Sequence, residues 1–493
     1  MVLQTARTLT LLYPHLALST MINYKEIGLK MGLEVHQQLA THKLFCEDAS
    51  ELRLEPPHQV VERQLRPIAG ETGQIDVAAI FEKKKQKTYF YEIYADTTCQ
   101  VELDEEPPHE INKDALEIAL TVAKILHCTF PETVQVMRKT VVDGSNTSGF
   151  QRTALIATGG FLETSFGKVR IATICLEEDS ARRTAETPNS VTYRLDRLGI
   201  PLIEIATEPD IKTPEQARET AEKLGSLLRA TGKVMRGIGT IRQDLNVSVR
   251  GHPRVELKGV QELARMPQIA EKEAERQLAE VKSGNKLESH VRNIKEDLAS
   301  KFLRPMPGAA RMYPETDIPL IYLDKNEIEK IKLPEPFDQK EKRFTRLGLS
   351  EDLAKQIIRD EKLPLFEHLA DKLKNTPANA IASAILSAES QAKQKLGKEI
   401  FFSDKEFELV LGLLDAGKIA KEAVLEIFTG IAKGETVFEL EKKFVKLTDK
   451  ELKEEIENLK QQFRGMPPDK LQGIIIGKLR GKAEAKKIIE ILK

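Results

Sequence analysis

Apolar and polar residues alternate strictly in "GLEVHQQL", so an extended chain carries Leu33 and Val35 on one side and Glu34, His36 and Gln38 on the other. "GIPLIEIATEPD" repeats the pattern, with Leu202, Glu204, Ala206 and Glu208 opposed to Ile203, Ile205 and Thr207. "VRIATICLEEDSARR" reads as an apolar strand that runs into Glu177, Glu178 and Asp179. In "RQDLNVSVRGHPRVELKG", Arg242, Asp244, Asn246, Ser248 and Arg250 share one face against Leu245, Val247 and Val249. The "GHP" turn then leads to Arg254, Glu256 and Lys258, which alternate with Val255 and Leu257. This texture holds over residues 21–340 and predicts an α+β domain with a largely antiparallel sheet. Beyond it the period becomes helical, as in "LAKQIIRDEKLPLFEHLADKL", which predicts an all-α domain over 341–430. "RGMPPDK" marks a loop feeding a further helix at Leu471, within a small helical tail domain over 431–493.

A chain of 493 residues with 41% hydrophobic content has room for about three domains with real cores. Its 75 basic and 76 acidic residues nearly cancel, which excludes a uniform nucleic-acid-coating protein and leaves room for a local basic patch. Cys46, Cys99, Cys128 and Cys175 form no CxxC pair, so neither a four-cysteine zinc knuckle nor a dithiol redox site is expected, and reduced core thiols in the cytoplasm are. No stretch approaches the roughly 20 apolar residues of a membrane helix. The opening segment as far as "LALST" imitates a signal peptide, but Tyr13, Pro14 and His15 break its apolar run. Translation is therefore expected to start at Met21, with residues 1–20 a disordered or spurious extension.

The polar faces carry the candidate chemistry. A carboxylate and an imidazole two residues apart on one strand face, Glu34 and His36, suit a metal ion and equally suit a half-exposed strand. Glu204, set among Leu and Ile in mid-strand, is costly to bury without a compensating cation or donor. Hard oxygen ligands of this kind select magnesium or manganese over zinc. The strand pair with Arg242, Arg250, Arg254 and Lys258 presents either a phosphate-binding surface or a solvated hairpin. "MRKTVVDGSNTSGFQRT" holds a small polar loop between Gly144 and Gly149, flanked by Arg138, Lys139 and Arg152. Its backbone N–H groups, around Ser145, suit an anion or a plain surface turn. The sequence has no GxxxxGK[ST], no kinase-type GxGxxG with HRD and DFG, and no GxSxG. If ATP is used, its phosphates must be handled by carboxylate-held metal on a sheet with Arg and Lys assisting, which suffices for phosphoryl transfer.

Eight ordered segments resemble the GatB/GatE family, the kinase subunits of tRNA-dependent amidotransferases. They are "MGLEVHQQL", "CQVELDEEPPHEIN", "VMRKTVVDGSNTSGFQRT", "LEEDSARR", "GIPLIEIATEPDI", "DLNVSV", "VELKG" and "ARMYPETDIP". The C-terminal "LQGIIIGKLRGKAEAKKIIEILK" resembles the family's tail, and "LEVHQQL", "DEEPPHE" and "DGSNTSGFQRT" resemble its archaeal form, GatE. The resemblance implies a glutamine-synthetase-like cradle fold, a helical domain and a tRNA-reading tail. It implies a ligase in which ATP phosphorylates the side chain of glutamate carried by tRNA(Gln), and ammonia from a partner then displaces phosphate. That partner is the asparaginase-like GatD, in a heterotetramer of two GatD and two GatE chains.

Carried over residue by residue, the resemblance assigns magnesium (or manganese) to Glu34, His36, Glu178 with Glu177 beside it, and Glu204. Arg138, Lys139, Ser145, Arg152, Arg242, Asp244, Arg250, Arg254 and Lys258 are expected at ATP or substrate. Residues 470–493 carry seven Lys or Arg against two Glu, and helical spacing places Lys478, Lys482 and Lys486 along one line, beside Arg480, as the tRNA contact. Two departures stand out. Only "KEDLASKFLRPMPG" separates Ile294 from Ala309, where GatE normally carries an inserted aspartyl-tRNA-synthetase-like domain, and Cys46 lacks the CxxC partner of the zinc knuckle seen in some relatives. The rival readings are a bacterial-type GatB acting on Asp- or Glu-tRNA, a non-catalytic tRNA-binding protein, and a free-standing carboxylate ligase.

Overall fold

The computed structural model describes residues 22–64, 73, 75, 80, 83–84, 86–141, 143–284, 287–306, 312–483 and 485–492. The expectation for residues 1–20 lies outside them. Those described fall into two compact units, divided between Pro334 and Glu335.

The first unit is mixed α+β. Its chain runs through β1 (Lys30–Gln38), β2 (Gln59–Arg63), β3 (Thr88–Ile93) and helix α1 (Lys113–Ile125). Then come β4 (Thr133–Val134), β5 (Val136–Thr140), β6 (Phe150–Thr158), β7 (Phe161–Thr164), β8 (Gly167–Glu178), β9 (Arg182–Glu186), β10 (Ser190–Arg194) and β11 (Pro201–Thr207). Helix α2 (Pro214–Ala230), strands β12 (Ile241–Ser248) and β13 (Val255–Lys258), and helix α3 (Met266–Ser283) follow. Strands β14 (His290–Ile294), β15 (Ser300–Pro305), β16 (Met312–Pro314) and β17 (Ile321–Tyr322) complete it, before the short helix α4 (Lys325–Lys330).

The main sheet has the order β15-β14-β13-β12-β1-β11-β8-β6-β5-β16, with β7 beside β8. Its pairings are antiparallel except β13 with β14. The period-two pattern decides its two faces. Leu33, Val35, Ile203, Ile205, Leu245, Val247 and Leu257 are buried in one core with Ala119 and Val122 of α1, Leu224 and Leu228 of α2, and Ile269 and Ala270 of α3. All three long helices therefore cover the apolar face, and the polar face stays open. Thr213 caps α2 through its side chain, with Pro214 at the first turn, and Asn112 caps α1.

A second sheet, in the order β2-β3-β10-β9, clamps the polar loop before β6. Tyr91 donates its hydroxyl to the Gly144 carbonyl at 2.8 Å, and Tyr193 to that of Asp143 at 3.0 Å. Gly144 has φ +89°, and a Cβ there would lie 2.1 Å from the Tyr89 ring.

The second unit is built of helices, with isolated bridges joining Ile419 to Val445 and Arg480 to Ala483. Helices α5 (Phe337–Arg346), α6 (Glu351–Arg359), α7 (Leu363–Lys372), α8 (Ala378–Leu396), α9 (Asp404–Asp415), α10 (Ala423–Ala432) and α11 (Val437–Lys443) share a core built on Phe344, Phe366, Phe407 and Phe428. Helices α12 (Asp449–Gln462), α13 (Pro468–Lys478) and α14 (Ala485–Leu492) form a separate small core from Leu452, Ile456, Ile475, Leu479 and Ile488. Ser403, Thr436 and Thr448 each make a capping box with the glutamate three residues on, which starts α9, α11 and α12 at those positions. No described helix is long and apolar enough to cross a membrane.

Gly144→Ala combines a left-handed backbone with a clash against a buried tyrosine ring. It is expected to destabilise the first unit by about 2 kcal/mol or more, read as a lower unfolding midpoint in urea.

Candidate active site

Register brings the polar residues of separate strands together. His36 of β1 stands opposite Glu204 of β11 on one side and Arg242 of β12 on the other, while Glu34 stands opposite Asp244. Glu204 is opposite Cys175 of β8, two residues from Glu177, and Asn246 is opposite Glu256 of β13. Directly opposed residues share a sheet face, so these side chains converge on the open one. Glu34, His36, Glu177, Glu204, Arg242, Asp244 and Glu256 line a cavity of about 630 Å³ with Lys139, Asp179, Arg254, Lys258 and Arg304.

The acids form two groups. His36, Glu177 and Glu204 bring ligand atoms within 4.8 Å of one another, as do Glu34, Asp244 and Glu256. Each group already holds a lysine. Lys139 Nζ lies 2.5 Å from Glu177 and 3.6 Å from Glu204. Lys258 Nζ lies 2.6 Å from Asp244 and 2.7 Å from Glu256. His36 Nε2 is 3.2 Å from Glu204 Oε2. Asp179, at the end of β8, takes Arg242 at 2.7 Å and the Gln38 amide at 2.7 Å. The charges of Arg254 and Arg304 act on Glu256 and, against its burial, help Lys258 hold its pKa down.

These contacts set the protonation. Burial and the neighbouring Glu204 push Glu177 upward, whereas Glu204, despite its burial, is held below the usual carboxylate range by Lys139 and His36. Glu34 is raised by burial and by Glu256 and Glu204. Burial alone disfavours an imidazolium at His36, but the hydrogen bond and charge of Glu204 outweigh it and raise the pKa above 6.5. Asp179, also buried, stays low because Arg197 and Arg242 face it.

The structure differs from the sequence expectation at several residues. Glu178, expected among the metal-holding acids, points to the opposite face, because its neighbour Glu177 occupies the cavity side and β8 alternates. Its carboxylate accepts from the Arg152 backbone N–H at 3.1 Å and lies 3.3 Å from that guanidinium. Arg152 in turn meets Glu315 at 2.9 Å, and Arg138 meets Glu315 at 2.5 Å, with Arg138 over the Phe150 ring at 4.6 Å. Arg138 and Arg152 thus hold the back of the sheet edge, outside the cavity lining. Ser145 belongs to the tyrosine-clamped loop, its hydroxyl 2.6 Å from Asp143, and Arg250 lies beyond the end of β12, where its backbone N–H bonds to Ile27. Lys139, Arg242, Asp244, Arg254 and Lys258 do line the cavity.

In the tail, the expected single helix line is interrupted. Helix α13 ends at Lys478 and α14 starts at Ala485, with Gly481 at φ +81° between them, so Lys478, Lys482 and Lys486 do not share one helix face. Arg480 lies 3.1 Å from Glu426, and the Lys478 ammonium sits 4.8 Å from the Phe463 ring centroid.

Several cavity residues, among them Asp179, Glu256 and Arg304, escaped the sequence-based site set. Glu256 and Asp179 were visible as polar residues but had no partner to mark them. Arg304 lay in a stretch whose pairing with β14 has no periodic signature. Folding also gathers Cys46, Asp48, Cys99 and Glu102 within 4.8 Å, a thiol and carboxylate group that the missing CxxC spacing gave no reason to expect. Cys46 donates to Glu102 at 3.0 Å, and the buried Lys43 ammonium lies 3.6 Å from the same carboxylate.

An open polar sheet face with two acid groups, each bridged by a lysine, on an α+β scaffold describes a catalytic domain without a phosphate-binding glycine loop. A family model for the GatB/GatE catalytic domain matches residues 29–329, and the chain belongs to that family. Among similar curated proteins is the E subunit of the glutamyl-tRNA(Gln) amidotransferase of Methanocaldococcus jannaschii, 36% identical over 623 residues, covering 96% of this chain and 99% of the relative. The protein of the same description from Sulfurisphaera tokodaii is 37% identical, covering 96% and 99%, and that from Saccharolobus solfataricus 35%, covering 96% and 98%. The matched span of 623 positions exceeds the 493 residues here, so the first relative carries stretches with no counterpart in this chain.

Because the His36 pKa is raised in the fold, its pairing with Glu204 stabilises the metal-free chain fully below the ordinary value of 6.5. That contribution is lost as pH rises through the raised value. In EDTA, the wild-type melting temperature should therefore fall over that window relative to His36→Gln, and parallel pH profiles would show that the pair is not charged.

Proposed function

We propose that this chain is the kinase and transamidase subunit of a glutamyl-tRNA(Gln) amidotransferase. The observation that carries the proposal is the convergence of His36, Glu177 and Glu204 beside Glu34, Asp244 and Glu256 on one open sheet face rimmed by Arg242, Arg254 and Arg304. Family membership and the resemblance to amidotransferase E subunits support it. The donor set, carboxylate oxygens with one imidazole, fits magnesium or manganese. When bound, such an ion neutralises the ATP phosphates and aligns the γ-phosphoryl group for in-line transfer.

The chain's own residues then act as follows. His36, Glu177 and Glu204 would hold the cation, with Glu177 in the place first assigned to Glu178. Lys139 compensates the two carboxylates and faces the transferring phosphoryl group. Arg254 and Arg304, which line the cavity beside Glu256, take phosphate oxygens. The side-chain carboxylate of glutamate esterified to tRNA attacks the γ-phosphorus, forming an acyl phosphate and releasing ADP. Ammonia adds to the acyl carbon and phosphate leaves, which yields the glutaminyl ester. The ammonia comes from the asparaginase-like GatD, in an assembly of two GatD and two GatE chains in the cytoplasm. The first unit serves as a glutamine-synthetase-like cradle, and the tail carries Lys478, Arg480, Lys482 and Lys486 to the tRNA backbone.

A reconstituted assay with ATP, Glu-tRNA and the GatD partner tests this. Glu204→Gln and Glu177→Gln should each lower amide formation by about 10²-fold or more while leaving tRNA affinity near wild type. Glu178→Gln should instead cost stability while keeping metal affinity; the reverse pattern would move the site to the other face. If the four tail cations each meet a phosphate, log Kd for tRNA should vary with log salt with a slope of about 3. A salt-independent affinity removes the tail contact.

A further inference from the structure

The row of side chains that crosses the open face through His36 and Glu204 is charged at one end and apolar at the other. Arg242 of β12 stands across from His36, His36 from Glu204, Glu204 from Cys175, and Cys175 from Leu155 of β6. Residues directly across from one another share a face, so Leu155 sits on the open side, two strands or about 10 Å from Glu204. Leu155 is 40% exposed, whereas Ala154, Ile156 and Ala157 around it are fully buried. An irregularity of β6 between Leu155 and Ala157 accounts for the contrast, because an extra residue there keeps both Ile156 and Ala157 in the core. Met137 of β5, half-buried, stands across from Thr153 and two residues from the cavity-lining Lys139, which puts it on the same face. An exposed leucine is ordinary on a protein surface. Beside an acid group, on a face otherwise lined with charges, it offers a contact to an apolar part of what the acids bind.

Direction decides which ligand part that is. In-line phosphoryl transfer sets the attacking and leaving oxygens on opposite sides of the phosphorus. Arg242 on β12, Arg254 ahead of β13 and Arg304 on β15 put the nucleotide phosphates on the β12–β15 side of His36, Glu177 and Glu204. The nucleophile therefore arrives from the β8–β6 side, where Cys175 and Leu155 lie. Resting on the proposed kinase reading, we infer that Leu155, with Met137 and Cys175, forms the acceptor subsite, which seats the methylene groups of the glutamate esterified to tRNA. Held there, the side-chain carboxylate faces the γ-phosphorus. As its oxygen–phosphorus bond forms, the bond from the γ-phosphorus to the bridging oxygen breaks, and ADP leaves with that electron pair. Leu155 is a positioning residue, since it fixes the line of approach and leaves the reacting atoms to the acids and cations.

The test is steady-state amide formation by the full chain with its asparaginase-like partner, varying Glu-tRNA and ATP separately. Leu155→Asn, close in size but polar, should raise the KM for Glu-tRNA about tenfold or more while the KM for ATP stays near wild type. Leu155→Met, apolar again, should recover most of the loss. A merely structural role would move both KM values and the melting temperature together. A second measurement does not depend on turnover. In Leu155→Cys, alkylation of the thiol at position 155, read by mass spectrometry, should slow with Glu-tRNA and stay unchanged with uncharged tRNA or a non-hydrolysable ATP analogue. An unchanged KM for Glu-tRNA in Leu155→Asn overturns the acceptor subsite, as does protection by the ATP analogue or equal protection by uncharged tRNA. Wild type without ATP-dependent amide formation would sink the kinase reading and the subsite together, whereas full activity with indifferent Leu155 variants sinks the subsite alone.

Discussion

Charge compensation on one face of a sheet governs this molecule. Glu34, Glu177, Asp179, Glu204, Asp244 and Glu256 all face a cavity of about 630 Å³, where uncompensated carboxylates are costly. The fold answers by placing a cation beside nearly every one. Lys139 serves Glu177 and Glu204, Lys258 serves Asp244 and Glu256, and Arg242 serves Asp179. Apart from Lys258 with Glu256, both on β13, each pairing joins neighbouring or nearby strands, so the strand register, and with it the apolar packing behind the sheet, determines which charges meet.

That dependence explains the division of labour between the faces. The long helices of the first unit all bury their apolar stripes against the back of the sheet, in one continuous core with Leu33, Val35, Ile203, Ile205 and Leu245. The front is left free for polar chemistry. A one-residue slip of β1 would send Glu34 and His36 into the core, so the apolar positions indirectly hold the polar ones in place. A separate ion network of Arg138, Arg152, Glu178 and Glu315 ties the sheet edge together without entering the cavity.

Much of this was legible from alternation alone. The two faces of β1, β11 and the β12–β13 hairpin follow the pattern residue by residue. The failures share one cause. Glu177 and Glu178 are chemically identical neighbours, and only the phase of β8 relative to β6 and β11 separates them. Lys478, Lys482 and Lys486 have helical spacing, but Gly481 with a left-handed backbone interrupts it. Cys46 and Cys99 are far apart in sequence, and contact between them cannot be read from spacing.

By itself the sequence determined which side chains are polar within apolar strands, where the texture turns from strand to helix, and which family the ordered motifs resemble, because these depend on local periodicity and local chemistry. The tertiary structure decided which acid meets which cation, that Glu34 and His36 belong to different acid groups, and that Arg304 reaches the cavity from β15. Those outcomes depend on the register and phase of strands distant in the chain. Register is set by the collective packing of the apolar face, a property that no short stretch of residues contains.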